Sequence, residues 1–538
     1  MKTRYIALAT ACLGLASCSG WLGEDGPLTN HVSDYFLSAD AACQVVTAAY
    51  TPLMWEFGGT YFSEWFIGDI ASDDALKGGQ NISDMAAAYE FDNFKTTSNN
   101  ELLLVYYRAQ YQGIARANLA IEQIPAMETD EDLTPALQKR FEAEAKFLRA
   151  FYYFRLVRLF GGVPLVTAPV YSSQDWKQPR ATVEKVYEQI LNDLTFAAEH
   201  LPKKSGYPAE DMGRATSGAA QAMLLKANLY LANYYEREGH AAQASASYAD
   251  AVKAGQAFLS DQASEYSLCP VYADNFTLEG ENGPESIFEI QYMLDGMSDY
   301  GSSEGGLGFS RGTFTEVLMR SRSTSFGESK GWGFNHPTQN LYDEYEAGDP
   351  RRDATILVPT DAEIINAADE IYLGNRYLSL KRTRLGADRQ YTPLNHESRG
   401  EINNIQLRLA DLYLMYAEAC QATGDTPGAK EYLEKVRARA RAEAEILPAF
   451  PYGDYSDTPE DLLKAIRHER RVELAMEGHR WFDLCRWGVA YEVMTSYMAS
   501  ETADARAQMS AFIKGKHELM PIPQKEVELG SLSQNPNY

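Results

Sequence analysis

The chain has 538 residues, 45% of them apolar and 12% aromatic, and a formal net charge of -26 at pH 7. That length allows a large core or several domains, while so acidic a surface repels phosphate backbones and argues against a nucleic-acid partner. Beyond the first residues no stretch approaches the roughly 20 unbroken apolar positions of a membrane helix.

Lys2 and Arg4 precede an apolar run from Ile6 to Ala16, and Leu15-Ala16-Ser17 leads into Cys18. Basic start, short apolar core and small residues at the end are the order of a secretory signal. With its cysteine the segment resembles a bacterial lipoprotein signal, which makes 1–17 a leader and Cys18 the lipidated N-terminus of an exported chain. Losing Lys2 and Arg4 takes the formal charge from -26 to -28. Acyl chains hold such a protein to a membrane at about 0.8 kcal/mol per buried methylene. The later cysteines, Cys43, Cys269, Cys420 and Cys485, lie far apart with no CxxC and no paired histidines. A metal site is therefore not expected and any disulfide pairing stays open. Cys420 and Cys485 fall in helical patterns and read as buried small apolar residues.

Trp55 and Trp65 sit in apolar context and are expected in the core. Residues 58–100 are rich in Gly, Ser, Asn and Asp and read as loops. From 141 the texture changes. Ala145, Leu148, Phe151, Tyr152, Leu156 and Leu159 recur at helical spacing up to Gly161, and Thr182 caps a partner helix reaching about Glu199. A second pair runs over 216–238 and 242–259, and a third over 405–423 and 427–442, each broken at a glycine. The Ala, Tyr and Gly pattern of the last two pairs resembles tetratricopeptide packing. Between them, residues 260–404 lose the helical period. The expected fold is mainly α: TPR-like helix pairs at about 141–259 and 405–488 as scaffold, four or near it, a long irregular insertion, and minor β. Binding usually resides in such loops.

Glu469, Glu473 and Glu477 recur every four residues, and a helix would space them about 6 Å apart along its axis, a separation that invites glycoside hydrolysis. Arg470 and Arg480 lie within helical reach, however, and hold carboxylates ionised, which suits a structural ion-pair network. No GxSxG elbow is present, and the glycines at 301–306 lack the Lys-Ser/Thr ending of a phosphate loop. Residues 274–285 resemble a calcium loop only loosely, with Phe276 at a ligand position. What remains is stacking with hydrogen bonding: a sugar offers an apolar C–H face and a rim of hydroxyls, which want exposed rings edged by Asp, Asn or Arg. Two stretches supply that chemistry, Asp73, Asp74, Asn81, Tyr89 and Asn93, and Tyr300, Phe309, Phe314, Trp332, Phe334 and Asn335. Asp73 and Asp74 read equally well as caps of the following segment. Trp332 leads, because Gly331 and Gly333 leave it little local cover.

A string of motifs then resembles the SusD/RagB family of outer-membrane lipoproteins over nearly the whole chain. After Cys18 come Glu144-Ala-Lys-Phe-Leu-Arg-Ala-Phe-Tyr-Tyr-Phe154, Gly161-Gly-Val-Pro-Leu165, Arg214-Ala-Thr-Ser-Gly-Ala-Ala220 and Glu285-Ser-Ile-Phe-Glu-Ile290. Asp349-Pro-Arg-Arg-Asp353, Arg408-Leu-Ala-Asp-Leu-Tyr-Leu-Met-Tyr-Ala-Glu418 and the run Glu469 to Gly488 follow, and Leu519-Met-Pro-Ile-Pro523 and Gln534-Asn-Pro-Asn-Tyr538 close the chain. The acidic run that often follows the lipidated cysteine is late and short here, at Glu24-Asp25. The resemblance implies one SusD-like domain over 18–538, without enzyme activity or cofactor, on the outer membrane and facing the exterior. Its expected ligand is a glycan and its expected partner a SusC-type TonB-dependent transporter. A RagB-like peptide carrier is the alternative, and a polysaccharide-degrading enzyme a more distant one. The residues expected at the ligand are Trp332, Tyr300, Phe334, Tyr89, Asn93, Asp73 and Asp74.

Overall fold

The computed structural model describes residues 35–56, 64–172, 177–294, 311–394, 400–444 and 446–538. Cys18, Tyr300 and Phe309 lie outside them, as does the side chain of Trp65. The fold is mainly α. Its scaffold is a stack of long helices: α1 (Ala39–Tyr50), α2 (Glu101–Gln123), α3 (Pro135–Phe160), α4 (Val183–His200), α5 (Ser217–Arg237) and α6 (Ala241–Asp261). It continues with α7 (Leu409–Ala422), α8 (Thr426–Ala444), α9 (Pro459–Leu474) and α10 (Arg480–Arg486). Consecutive helices of α1 to α6 pack on one another, and α7 packs on α5, α6, α8 and α9, so the third pair joins the second directly across the insertion.

Local chemistry sets the boundaries. Thr182 Oγ1 accepts from Lys185 N and Thr216 Oγ1 from Ala219 N, each satisfying an orphan N–H of a first turn. Thr134 and Pro135 start α3 six residues before the sequence expectation, and Gly161 ends it as expected. From Phe141 to Val157 every residue of α3 except Lys146 is buried, because α2, α4 and α5 cover it from several sides. One boundary was misread. Ile405 does not open a helix: Asn404–Arg408 is strand β6, paired antiparallel with β2 (Ser286–Ile290), and α7 begins only at Leu409.

The loop-rich parts are stitched by short antiparallel pairs. Strand β1 (Ala75–Gly78) pairs with β3 (Phe334–Pro337), Ala75 facing Pro337 and Gly78 facing Phe334, and β4 (Ile356–Leu357) pairs with β5 (Leu378–Ser379). One contiguous buried cluster runs from Ala49 to Ile522 and takes in both helical regions and the β1–β3 and β2–β6 pairs, while Leu357 and Leu378 of the β4–β5 pair form a small cluster with Phe326 and Tyr391. Trp55 and Cys420 are buried as expected, and Cys485 is only partly so. Cys43, Cys269, Cys420 and Cys485 are free thiols. Among the described residues no helix is long and apolar enough to cross a membrane, and no group of three His, Cys, Asp or Glu is placed to hold a metal ion.

Candidate functional site

The acidic and basic residues of 469–488 form the foundation of the site. They do not lie on a single helix: α9 ends at Leu474, and Met476 and Gly478 take positive φ before α10 starts. The reversal is held from outside. Gly478 N donates to Asp69, and a Cβ on Gly68 would fall 2.0 Å from the Gly478 carbonyl oxygen, so two backbones meet where only glycine fits. Glu469 accepts from Arg351 and Arg437, Glu473 from Arg351, Arg408 and Arg439, and Glu477 from Arg408 and Lys381. All three are buried. Burial alone would raise the Glu477 carboxyl, but Arg408 and Lys381 outweigh it and hold it at about 2. The guanidiniums on Glu473 likewise keep it well below the usual carboxylate range. Both therefore stay ionised and have no proton to donate. The expected network is present with different partners, since Arg470 pairs with Asp411 and Asp483, and Arg480 with Asp73.

A second layer lies above it, where β1 and β3 bring the two expected binding stretches side by side. Asp73 and Asp74 sit beneath this face, not on it. Arg480 Nε and Nη2 reach Asp73 at 2.8 and 2.9 Å, and Arg471 Nε reaches Asp74 at 2.8 Å. Burial raises the carboxyls of this pair, but at Asp73 the charges of Arg471 and Arg480 prevail and hold it at about 2. The backbone carbonyls of Asp73 and Asp74 accept from Thr338, which fixes the end of β3. Lys77 organises the turn after β1: its Nζ donates to the carbonyls of Asn81 and Asp84 and sits over the rings of Phe334 and Tyr372 at 5.4 and 5.5 Å. Burial lowers its pKa to about 8. Asn81, at the exposed tip, uses its Oδ1 to accept from Ser83 N and Asp84 N.

The third layer is the mouth. Buried Glu56 accepts four hydrogen bonds: Thr313 Oγ1 at 2.7 Å and Phe314 N at 2.9 Å on Oε2, Tyr292 Oη at 3.0 Å and Thr315 Oγ1 at 3.2 Å on Oε1. Thr313 also exchanges both backbone hydrogen bonds with Gly400, and Met293 N donates to Arg311 O. One carboxylate thus gathers the described ends of three segments, at Glu56, at Tyr292 and Thr313, and at Gly400. Burial raises its pKa, opposed by these donors. Trp332 stands beside this node, half-buried, its ring 5.8 Å from that of Phe314. The flanking glycines serve a different end from the one expected. A Cβ on Gly331 would lie 2.3 Å from Val317 O, and Trp332 N donates to that same oxygen, so they let the strand tuck under the helix Thr315–Met319.

The expected residues therefore separate by depth. Trp332 and Tyr89 retain exposure, Tyr89 with its hydroxyl on Gln508 Oε1 at 2.9 Å and Lys95 Nζ over its ring. Asn93 is buried, its Nδ2 on Tyr89 O, and Phe334, Phe314 and Asn335 are buried as well, Asn335 donating to Asp69. Asp73, Asp74, Asn93 and Phe334 hold the face from within, because their polar atoms or rings are already engaged. Glu56, Tyr292, Thr313 and Lys77 carry much of the geometry and were not foreseen. No local pattern marks them, since Glu56 meets its partners more than two hundred positions away.

The comparisons with known proteins bear on this arrangement. Residues 284–538 match the SusD family, and residues 54–231 match a family described as starch-binding and associating with the outer membrane. A solved structure, a laminarin-binding SusD-like protein, superposes with a TM-score of 0.75 at 30% identity, covering 94% of this chain and 100% of that one. The chain belongs to the SusD family. A SusD-like protein of Bacteroides ovatus is 28% identical over 90% of this chain and 83% of its own length. One from Formosa agariphila is 26% identical over the full length of both. Surface glycan-binding protein A of Bacteroides fluxus shares the family fold, with a TM-score of 0.76 at 24% identity over 93% of this chain and all of its own.

Proposed function

We propose that this protein captures an oligo- or polysaccharide on the face around Trp332 and passes it to a SusC-type TonB-dependent transporter, tethered to the outer membrane by acyl chains on Cys18 and facing the exterior. The observation that carries the reading is the Glu56 node, which ties together the described ends of three chain segments beside one partly exposed tryptophan. A base tied together by one buried carboxylate, with a ring beside it, suits an extended ligand with an apolar face and many hydroxyls. The laminarin-binding relative, matched over all of its own length, supports that ligand class. Trp332 and Tyr89 are the ring contacts in this proposal. Capture takes place without catalysis, for the carboxylates that hydrolysis would need are held ionised by two or three cations each. Weak single contacts suffice when a polymer engages several tethered copies.

Trp332 leaves at most about a third of a tryptophan's roughly 200 Å² accessible, and covering that at about 25 cal/mol per Å² is worth at most about 1.8 kcal/mol. Trp332→Ala is therefore expected to weaken retardation in gels cast with a binding glycan by up to roughly 20-fold, with the thermal transition retained. Peptides co-purifying with the protein, with no glycan retarding it, would replace the ligand class with a RagB-like one. New reducing ends from a retarding glycan would overturn the non-catalytic reading. Cys18→Ser is expected to release the protein from membranes, and affinity purification of the wild type should recover an outer-membrane transporter.

A further inference from the structure

Away from this mouth, a cleft of about 570 Å³ opens between the C-terminal end of α3, α4, α5, α10 and the chain at 514–519. Its size falls among those that bury small ligands, about 300–1,000 Å³. Two of its properties stand out against the rest of the molecule.

The first is charge. The whole chain carries 49 basic and 75 acidic residues, yet Arg158, Arg237, Lys514 and Lys516 line the cleft against Glu238 and Glu518. The cations are placed by the fold. Arg158 lies over the Phe482 ring at 4.0 Å, Arg237 Nη1 donates to the Arg486 carbonyl at 2.6 Å, and Lys516 Nζ sits 4.7 Å from the Tyr538 ring. Arg237 and Lys516 make these contacts with a carbonyl and a ring and not with a carboxylate, whereas Lys514 pairs with Glu492 at 2.8 Å and Glu518 accepts from Gly515 N. Arg486 also reaches the cleft but is spent on Glu418 and Asp483.

The second is the wall. Tyr187, Tyr230 and Phe482 line it, and Tyr230 is 4% exposed with a hydroxyl that has no hydrogen-bond partner among the described residues. A buried donor without an acceptor is a defect in a finished core and a fitting in a binding site. Aromatic surface, an idle phenol and fixed cations together ask for a ligand with an apolar face, hydroxyls and a negative group.

We propose that this cleft is a second saccharide site, specific for a sugar unit bearing a carboxylate or sulfate. Arg237 and Lys516 hold the anion, and the partly exposed ring of Tyr234, which also lines the cleft, takes the C–H face. The site is separate from the Trp332 mouth, so it stands or falls independently of the ligand assigned there.

The test uses the full-length protein in affinity gels cast with polygalacturonate, with a sulfated galactan, and with neutral laminarin. The wild type should be retarded by at least one of the two acidic polymers, and which one separates carboxylate from sulfate. Retardation should weaken as salt is raised. Arg237→Gln with Lys516→Gln should weaken acidic retardation by roughly tenfold or more, from the loss of two charge-assisted contacts. Lys185→Gln with Lys464→Gln, which removes the same charge from exposed positions, should leave it within about twofold. Trp332→Ala should leave acidic retardation unchanged, and thermal melts confirm that each variant is folded. No retardation by either acidic polymer would overturn the proposal. So would equal effects of the cleft pair and the exposed pair, or loss of acidic retardation in Trp332→Ala.

Discussion

The Glu56 node allows a discriminating experiment, because its four donors differ in what they can do after a change. Glu56→Gln keeps one acceptor oxygen and adds an NH₂. Phe314 N–H cannot turn round, so the amide oxygen must take the Oε2 position, facing Phe314 N and Thr313 Oγ1. The NH₂ then faces Tyr292 Oη and Thr315 Oγ1, hydroxyls that can rotate to accept. The cost is the difference between charge-assisted and neutral bonds, about 1–2 kcal/mol, offset in part because burial already disfavours the charge. Glu56→Ala removes every acceptor and strands the Phe314 N–H at 0% exposure, where one unsatisfied group costs about 1–3 kcal/mol. Adding the lost hydroxyl bonds gives about 3–5 kcal/mol. Urea denaturation at pH 7 measures both, and gel retardation measures whether the mouth survives; Glu56→Ala should weaken capture and Glu56→Gln should largely keep it. Equal destabilisation by the two variants, or a loss below about 1 kcal/mol in Glu56→Ala with capture intact, would refute the assignment of the node.

Two further expectations concern the foundation. His468 Nδ1 lies 2.7 Å from Glu344 Oε1; burial lowers its pKa, but Glu344 and Glu346 outweigh that and raise it to about 9. The bonus is full below the unfolded value near 6.5 and is lost as pH rises through about 9, so roughly 2–3 kcal/mol should vanish between pH 7 and 10. The stability gap between wild type and His468→Gln should shrink accordingly in denaturation at the two pH values, and an unchanged gap would contradict the assignment. Gly68→Ala places a Cβ 2.0 Å from the Gly478 carbonyl oxygen and should destabilise by about 3 kcal/mol or more, read as a lowered melting temperature.

The helices were legible because their signals are local. Thr182 and Thr216 cap where the residue type says they should, and Gly161 stops α3. The failures share a cause, partners remote in sequence. Ile405, Leu407 and Leu409 fit the start of a helix until β2 arrives more than a hundred positions upstream to pair with β6. The carboxylates of 469–477 fit one helix until Asp69 and Gly68 hold the chain in its reversal at Met476. At the mouth, residue type gave the right kind of ring in Trp332 but not its depth, and glycines that suggested exposure proved to be sites of close backbone approach. Asp73 and Asp74 have a sugar-binding composition, and only the positions of Arg471 and Arg480 reveal that their oxygens are engaged.

The direct packing of α7 on α5 and α6 has a kinetic consequence. The face they share is completed only after residues 262–408 have been traversed, and closing a loop of about 150 residues costs on the order of 4 kcal/mol before any contact repays it. Ribosomal or translocation order delivers the first six helices long before their cover. During that interval the surface at Leu225 and Gly255, which Tyr416 of α7 covers in the folded chain, is open to solvent, and such surfaces aggregate. Folding is therefore expected to be slow and to depend on the final third of the chain, and a fragment ending near residue 400 should accumulate as aggregate, not as a stable half-molecule.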